Sequence, residues 1–305
     1  MKEPASLVEY GAAIDANSMV TPADTTEFEL EVDHPGLGDE AYIARRKFLF
    51  EITRQCRLTH QPPPQIDYTD EETRIWREVS PKLDELHVRH ASEIYLKAKR
   101  ELAITEDVIP QLRTLSDRVQ LETAMHLVPA EGALPYRTFY AAIAGRGFPV
   151  TQFLRHGSHP EFTPEPDMIH DCLGHVPPLM NRDYAELLTM IGKAAATTPN
   201  GEHVLLLKRF SWFSIEFGLI EEHGEVKVFG AGILSSFGEI PHALFSPSAR
   251  RRPFVTDDVI RQDYDPSHMQ VEFFIAPSFG FLRSELDTLV GRLGIRGLKM
   301  EPRRN

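Results

Sequence analysis

The chain has too few cysteines for a disulfide framework. Cys56 and Cys172 are the only two in 305 residues, which excludes a stapled secreted scaffold and points to a reducing compartment, the cytoplasm. No run approaches eighteen consecutive apolar residues, so no segment reads as a membrane span. The start, MKEPASLVEYG, lacks the apolar core of a secretory signal. Positive charge is also short. Thirty-three Lys and Arg face 45 Asp and Glu, a net charge of −12, and this argues against nucleic acid as a partner. The basic clusters Arg250-Arg251-Arg252 and Arg303-Arg304 are brief and read as solvated surface. Internal repeats and low-complexity tracts are absent. What remains is an ordinary globular composition, 42% hydrophobic and 26% charged, with length for one large domain or two small ones.

Helical periodicity dominates. A helix is expected over 39–57, with Tyr42, Ile43, Phe48, Phe50 and Ile52 on its apolar side and Arg45, Arg46 and Lys47 mostly off it. Thr69-Asp70-Glu71-Glu72 reads as a helix start, and periodicity runs over 70–98 with a kink or break near Pro81. His87 and His90 there read as surface or packing residues. One or two short helices are expected over 110–126, another over 136–144, a Gly- and Pro-rich connection over 145–165, and helices over 183–193 and 281–292. Residues 202–207 fit strand or helix. Strands are expected over 225–229, after the turn His223-Gly224, and over 270–275. The fold class is mainly α with a few short β-strands. Residues 1–27 read as a loose extension, 28–300 as a single domain and 301–305 as a tail.

The richest stretch is PEPDMIHDCLGHVPPL, residues 164–179. Neutral imidazole is the commonest protein metal ligand, and His170 and His175 are five residues apart. On an ideal helix that spacing leaves the two rings roughly 140° apart. Both reach one ion only if the helix is irregular, for instance widened by a π-bulge. Gly174 and the Pro177-Pro178 pair are placed to supply the irregularity. Zinc proteases use i, i+4 instead, so the spacing argues for another metal geometry. Two histidines beside a proline turn also occur simply as packed or surface residues, and two ligands do not identify a metal. Cys172, between them, reads as a small packed residue.

A third donor is suggested by FSWFSIEFGLI, residues 210–220, in which Glu216 is the only ionisable group. A carboxylate buried there is costly unless paired or metal-bound. Paired with an arginine it would be structural. With two histidines it would complete the facial triad of non-haem Fe(II) oxygenases.

Together with FGAGILSSFGE (229–239), these blocks resemble the signatures of the pterin-dependent aromatic amino acid hydroxylases. VDHPG (32–36), ARRKF (44–48), VIPQL (108–112), RTF (137–139) and QFLRHG (152–157) follow in family order, so the resemblance covers about residues 28–300. It implies a single catalytic domain, as in bacterial members, without the regulatory and tetramerisation segments of animal members, and hence a monomer. It implies Fe(II) held by His170, His175 and Glu216, a tetrahydropterin, O2, and hydroxylation of an aromatic amino acid ring. Arg155 matches the arginine that binds the substrate carboxylate. Thr163, Ser235 and Glu239 would complete the polar end, and Pro164, Trp212 and Phe217 would wall the ring. Phe139 matches the phenylalanine that stacks on the pterin, and Gly132, Ala133 and Leu134 match the backbone loop that binds it. Asp171, where animal members have glutamate, joins the cofactor side. Asp167 and Asp171 would support the ligands from behind.

Trp212 fits the phenylalanine and tyrosine branches. The stretch FIAPSF (274–279) has no acidic residue where the tyrosine branch has one. L-Phenylalanine, hydroxylated at the para carbon, is the expected substrate. Ser211 departs from the family's tyrosine at that position and is expected to open space near the metal, which leaves meta attack as an alternative. Tyrosine or tryptophan hydroxylation, a zinc hydrolase and a non-catalytic aromatic amino acid binding module are the other readings.

Overall fold

The computed structural model describes residues 28–30, 34–59, 61–161, 163, 165–266, 268–296 and 298. The expected extension 1–27, the tail 301–305 and Pro164 lie outside them. Helix α1 spans Glu40–Thr59, and its buried stripe is Arg46, Leu49, Thr53 and Cys56. This corrects the expected face. Phe48 is 54% exposed, and Arg46 points inward because its charge is matched there. The guanidinium lies over the Phe153 ring and 2.7 Å from Glu165. A buried cation is tolerated when paired in this way.

Helix α2, Asp70–His90, opens with a full capping box. Thr69 accepts from the Glu72 amide, and the Glu72 side chain accepts from the Thr69 amide, so two orphan donors of the first turn are satisfied. Trp76, Val79 and Leu83 recur at helical spacing and are fully buried. Of the kink or break expected at Pro81, the break does not occur: the helix runs through it. The chain breaks ten residues later, where Ala91 bridges to Val228 and the Ser92 amide donates to the Val228 carbonyl. Ser92 then caps α3, Glu93–Glu101. Tertiary pairing, not the proline, sets the boundary. Helix α4 covers Leu112–Thr123 as one element.

Strands β1, His126–Ala130, and β2, Gly147–Thr151, pair in parallel around α5, Tyr136–Ala144. Their C-terminal ends, Ala130 and Thr151, lie side by side. Met168–His170 form one turn, α6, which leads into the metal segment. Helices α7, Arg182–Thr197, and α8, Gly201–Ser211, follow. The ambiguous segment 202–207 is therefore helix, capped by Asn200.

A second sheet has the order β4-β3-β6-β5. It is built from β3 (Gly218–Glu222), β4 (Glu225–Val228), β5 (Arg250–Pro253) and β6 (Glu272–Ala276), with only the β3–β4 hairpin antiparallel. Two small helices, α9 (Ala231–Leu234) and α10 (Glu239–Phe245), follow the hairpin. After α11, Thr256–Val259, the last element is α12, Phe279–Arg292. Helix α7 is the spine. It is buried on nearly every side, and α5 and α12 pack against it. Among the described residues no helix is long and apolar enough to cross a membrane.

Candidate metal centre and substrate pocket

His170 ends α6, and the other two candidate ligands, His175 and Glu216, each end a π-turn. Asp171–His175 and Trp212–Glu216 are both π-helical. Their defining i→i+5 bonds run from the Val176 amide to the Asp171 carbonyl, 3.0 Å, and from the Phe217 amide to the Trp212 carbonyl, 2.8 Å. The wider turn brings two side chains five residues apart onto one side. Packing demands it too. A Cβ on Gly174 would stand 2.7 Å from the Ala231 carbonyl oxygen, so only glycine lets the first π-turn lie against α9.

His170, His175 and Glu216 meet at the centre. Among the described residues they form the one group of three such donors close enough to share an ion, with ligand atoms within 4.8 Å of one another. The two Nε2 atoms are 3.2 Å apart. Glu216 Oε1 is 3.2 Å from His175 Nε2, and Oε2 is 3.9 Å from His170 Nε2. Donors about 2.1 Å from one ion at right angles would stand about 3 Å apart, so the spacing suits a shared cation.

Hydrogen bonds fix one imidazole. The Ser235 hydroxyl donates to the Ala231 carbonyl, 2.8 Å, and lies 2.9 Å from His170 Nδ1. Having spent its proton, it can only accept from Nδ1. His170 Nε2 is therefore bare, and its lone pair faces the cluster. Burial, with help from neighbouring His175, pushes the His170 pKa down to about 4, so the ring is neutral. His175 moves the other way. Burial opposes its protonation, but Glu216 and Asp171 outweigh it. Glu216 is held below the usual carboxylate range against burial, by His175 and then His170. A largely buried set of two imidazoles and a carboxylate, with one lone pair locked inward, fits a divalent metal.

Arg155 is 4% exposed and Asp167 fully buried. Nε and Nη2 of the arginine each donate to Asp167 at 2.9 Å, and Nη1 reaches the Pro160 carbonyl at 3.2 Å. Guanidinium has five N–H bonds. Two, one on each terminal nitrogen, have no partner among the described residues, and a substrate carboxylate is the planar acceptor that suits such an edge. Asp167 also accepts from the Arg155 and His170 amides. One carboxylate thus holds both the candidate substrate arginine and the first metal ligand. Burial works against its charge, yet Arg155 keeps its pKa low.

The apolar wall is aromatic. Trp212 stacks on Tyr264 with centroids 4.2 Å apart and planes 12° apart, and it tilts against Phe217 at 4.8 Å. Its indole N–H donates to Gln270, 3.0 Å. Glu239 is buried nearby in the Gln270 network, and burial raises its pKa to about 7 despite a bond from the Gln270 backbone. One of its oxygens has no partner among the described residues. Thr163 is turned aside, its hydroxyl donating to the Glu165 carbonyl.

The comparisons with known proteins meet this geometry. The sequence profile of the biopterin-dependent aromatic amino acid hydroxylases matches residues 13–295. This chain belongs to that family. Bovine tyrosine 3-monooxygenase is 39% identical over 269 residues, 87% of this chain and 54% of the relative. Rat phenylalanine-4-hydroxylase is 37% identical, with 87% and 59% covered. The chain spans little more than half the length of these curated relatives. Among solved structures, phenylalanine hydroxylase of Chromobacterium violaceum with bound iron(III) and 7,8-dihydrobiopterin superposes with a TM-score of 0.70. It shares 27% identity over 80% of this chain and 93% of that one. The apo enzyme of Colwellia psychrerythraea 34H gives 0.70 and 28%, over 77% and 92%.

In this hydroxylase-family chain the expected cofactor residues gather at the β1–β2 end. Gly132, Ala133 and Leu134 leave β1 and lead into α5. Phe139, on α5, packs edge-on to Phe148, which in turn lies 4.9 Å from the His175 ring. Asp171 accepts from both the amide and the hydroxyl of Thr151, 2.7 and 2.8 Å. Burial raises its pKa to about 7.

A buried tyrosine from α5 neighbours Ser211. Burial raises the pKa of the Tyr140 phenol strongly, with Tyr264 and Glu216 pushing the same way and Ser211 against them. Tyr184 and Tyr264 also feel Glu216. Sequence reasoning found none of these three tyrosines, because each reaches the site from a distant part of the chain with no motif around it. Tyr140 directly follows Phe139, and that adjacency was the only available signal.

Proposed function

We propose that this chain is an Fe(II)- and tetrahydropterin-dependent monooxygenase that hydroxylates the ring of L-phenylalanine at the para carbon, giving tyrosine. The observation that carries the reading is the convergence of His170, His175 and Glu216 with a bare Nε2 aimed at their centre. These three would hold the iron. When bound, iron and tetrahydropterin supply the reduction of O2, one oxygen atom going to the ring and the other to the pterin.

The chain's own part is positioning and exclusion of water. Arg155, stiffened by Asp167, binds the substrate carboxylate through its free edge. Ser235 keeps the first imidazole in one tautomer. Trp212 and Phe217, backed by Tyr264, wall an apolar slot for the ring, and Glu239 closes the polar end. Phe139 stacks on the pterin, the backbone of residues 132–134 hydrogen-bonds its edge, and Asp171 secures the strand end beside it. An apolar slot suits phenylalanine better than a ring carrying a hydroxyl or an indole nitrogen. The absence of an acidic residue in 274–279 supports the same choice. Both cysteines are free and buried, which suits a reducing cytoplasm.

The test is reconstitution with Fe(II), a tetrahydropterin and phenylalanine in air, with the product identified by mass and NMR. Para-tyrosine, lost in His170→Ala and Glu216→Ala with the fold retained, is expected. Meta-tyrosine would overturn the position of attack. Full turnover in the iron-stripped protein would overturn the reading itself.

A further inference from the structure

Behind the metal turn lies a second polar cluster that the reaction does not use. His87, Tyr95 and Lys99 are all nearly inaccessible, 1%, 0% and 6% exposed. Burying an imidazole, a phenol and an ammonium is unfavourable unless their hydrogen bonds are satisfied, and here they serve two backbone carbonyls at the site.

The first is Leu173, inside the π-turn between the two histidines. Its carbonyl would ordinarily accept an N–H four or five residues on. Those positions are Pro177 and Pro178, which have none. The Tyr95 hydroxyl donates instead, at 2.7 Å. The second is Leu234, immediately before Ser235. Its carbonyl lies 2.6 Å from His87 Nε2. A carbonyl only accepts, so the His87 proton is on Nε2 and Nδ1 is the acceptor. Tyr95 has already given its one proton to Leu173, so although its oxygen is 3.2 Å from Nδ1, the donor there is Lys99, at 3.4 Å. Lys99 is itself paired with Asp84, the member of the cluster that reaches solvent. Burial lowers the His87 pKa to about 4, so the ring stays neutral near pH 7.

We infer that His87, Tyr95 and Lys99 form a bracket that positions the metal-binding imidazoles and is needed for tight metal binding. Tyr95 anchors the turn that presents His175. His87 anchors the end of α9, from which Ser235 orients His170. Lys99 keeps the His87 tautomer that makes this possible. The inference rests on the metal reading given above.

Titration of the metal-free protein with Co2+, followed by its visible absorption, tests the bracket without turnover. Tyr95→Phe removes one oxygen, and His87→Phe keeps the ring but not the donor. Each should weaken Co2+ binding by about tenfold or more, the scale of lost outer-shell support. His87→Gln, whose amide N–H can still reach Leu234, should stay within about threefold of wild type. If His87→Phe does not fold, Tyr95→Phe carries the test. Variants that melt at lower temperature yet bind Co2+ like wild type would overturn the inference and leave the metal reading standing. A wild-type chain that takes up no Co2+ would defeat both.

Discussion

Ser235 Oγ takes the Nδ1 proton of His170 at 2.9 Å while giving its own to the Ala231 carbonyl at 2.8 Å. The order of donors leaves His170 Nε2 no choice but to present a lone pair. Ser235→Ala frees the ring to rotate or change tautomer. Metal affinity should fall about 10- to 100-fold with little change in the melting temperature of the metal-free protein. Competitive metal titration beside a thermal melt checks both halves.

Arg155 and Asp167 stand or fall as a pair. Asp167→Asn leaves a buried guanidinium without its counter-charge, and the expected cost is about 3–5 kcal/mol, measurable by urea unfolding of the metal-free chain. Arg155→Lys keeps the charge but loses the planar fork. It should raise KM for phenylalanine about tenfold or more and change kcat much less. An unchanged KM would remove Arg155 from the substrate site.

Gly174→Ala tests the close approach of the first π-turn to α9. Its new methyl would sit 2.7 Å from the Ala231 carbonyl oxygen and 3.0 Å from the Ala231 Cβ, so backbone must move. A loss of about 1–3 kcal/mol is expected from overpacking, together with lower metal occupancy. Denaturant unfolding and metal analysis read the two effects.

His87 predicts a pH dependence of stability. Its folded pKa, about 4, lies below the ordinary 6.5. Between these values the unfolded chain binds the proton and the folded chain does not. The stabilising contribution is therefore complete above pH 6.5 and is lost as pH falls toward 4, by roughly 3 kcal/mol in total. Denaturant unfolding at pH 7 and pH 5 should show the decline, and His87→Gln should remove that part of it.

The first π-turn could be read in advance because five-residue spacing and one shared ion are incompatible on a regular helix. Glu216 was legible as the lone charge in an apolar run. Strands β1, β2 and β5 were not. HLVPA, GFPVT and RRRP each contain a proline, which ordinarily argues against a strand. All three are edge strands, where a missing amide donor is tolerated. GFPVT is also buried throughout and shows no alternation. Arg46 was misplaced because its partner, Glu165, is more than a hundred residues away, and a buried ion pair leaves no local trace. Tyr140 was missed for the same reason.

Asp171 opens the π-turn through its carbonyl and holds Thr151 through its carboxylate, beside the loop of residues 131–135. A single residue is thus a member of both halves of the centre. Whatever shifts that loop is felt at His175, and an ion drawn in at His175 tightens or loosens the loop in return. On the function proposed above, an iron at His175 and a pterin at that loop would be linked through Asp171, and linkage makes any such influence equal in either order of addition.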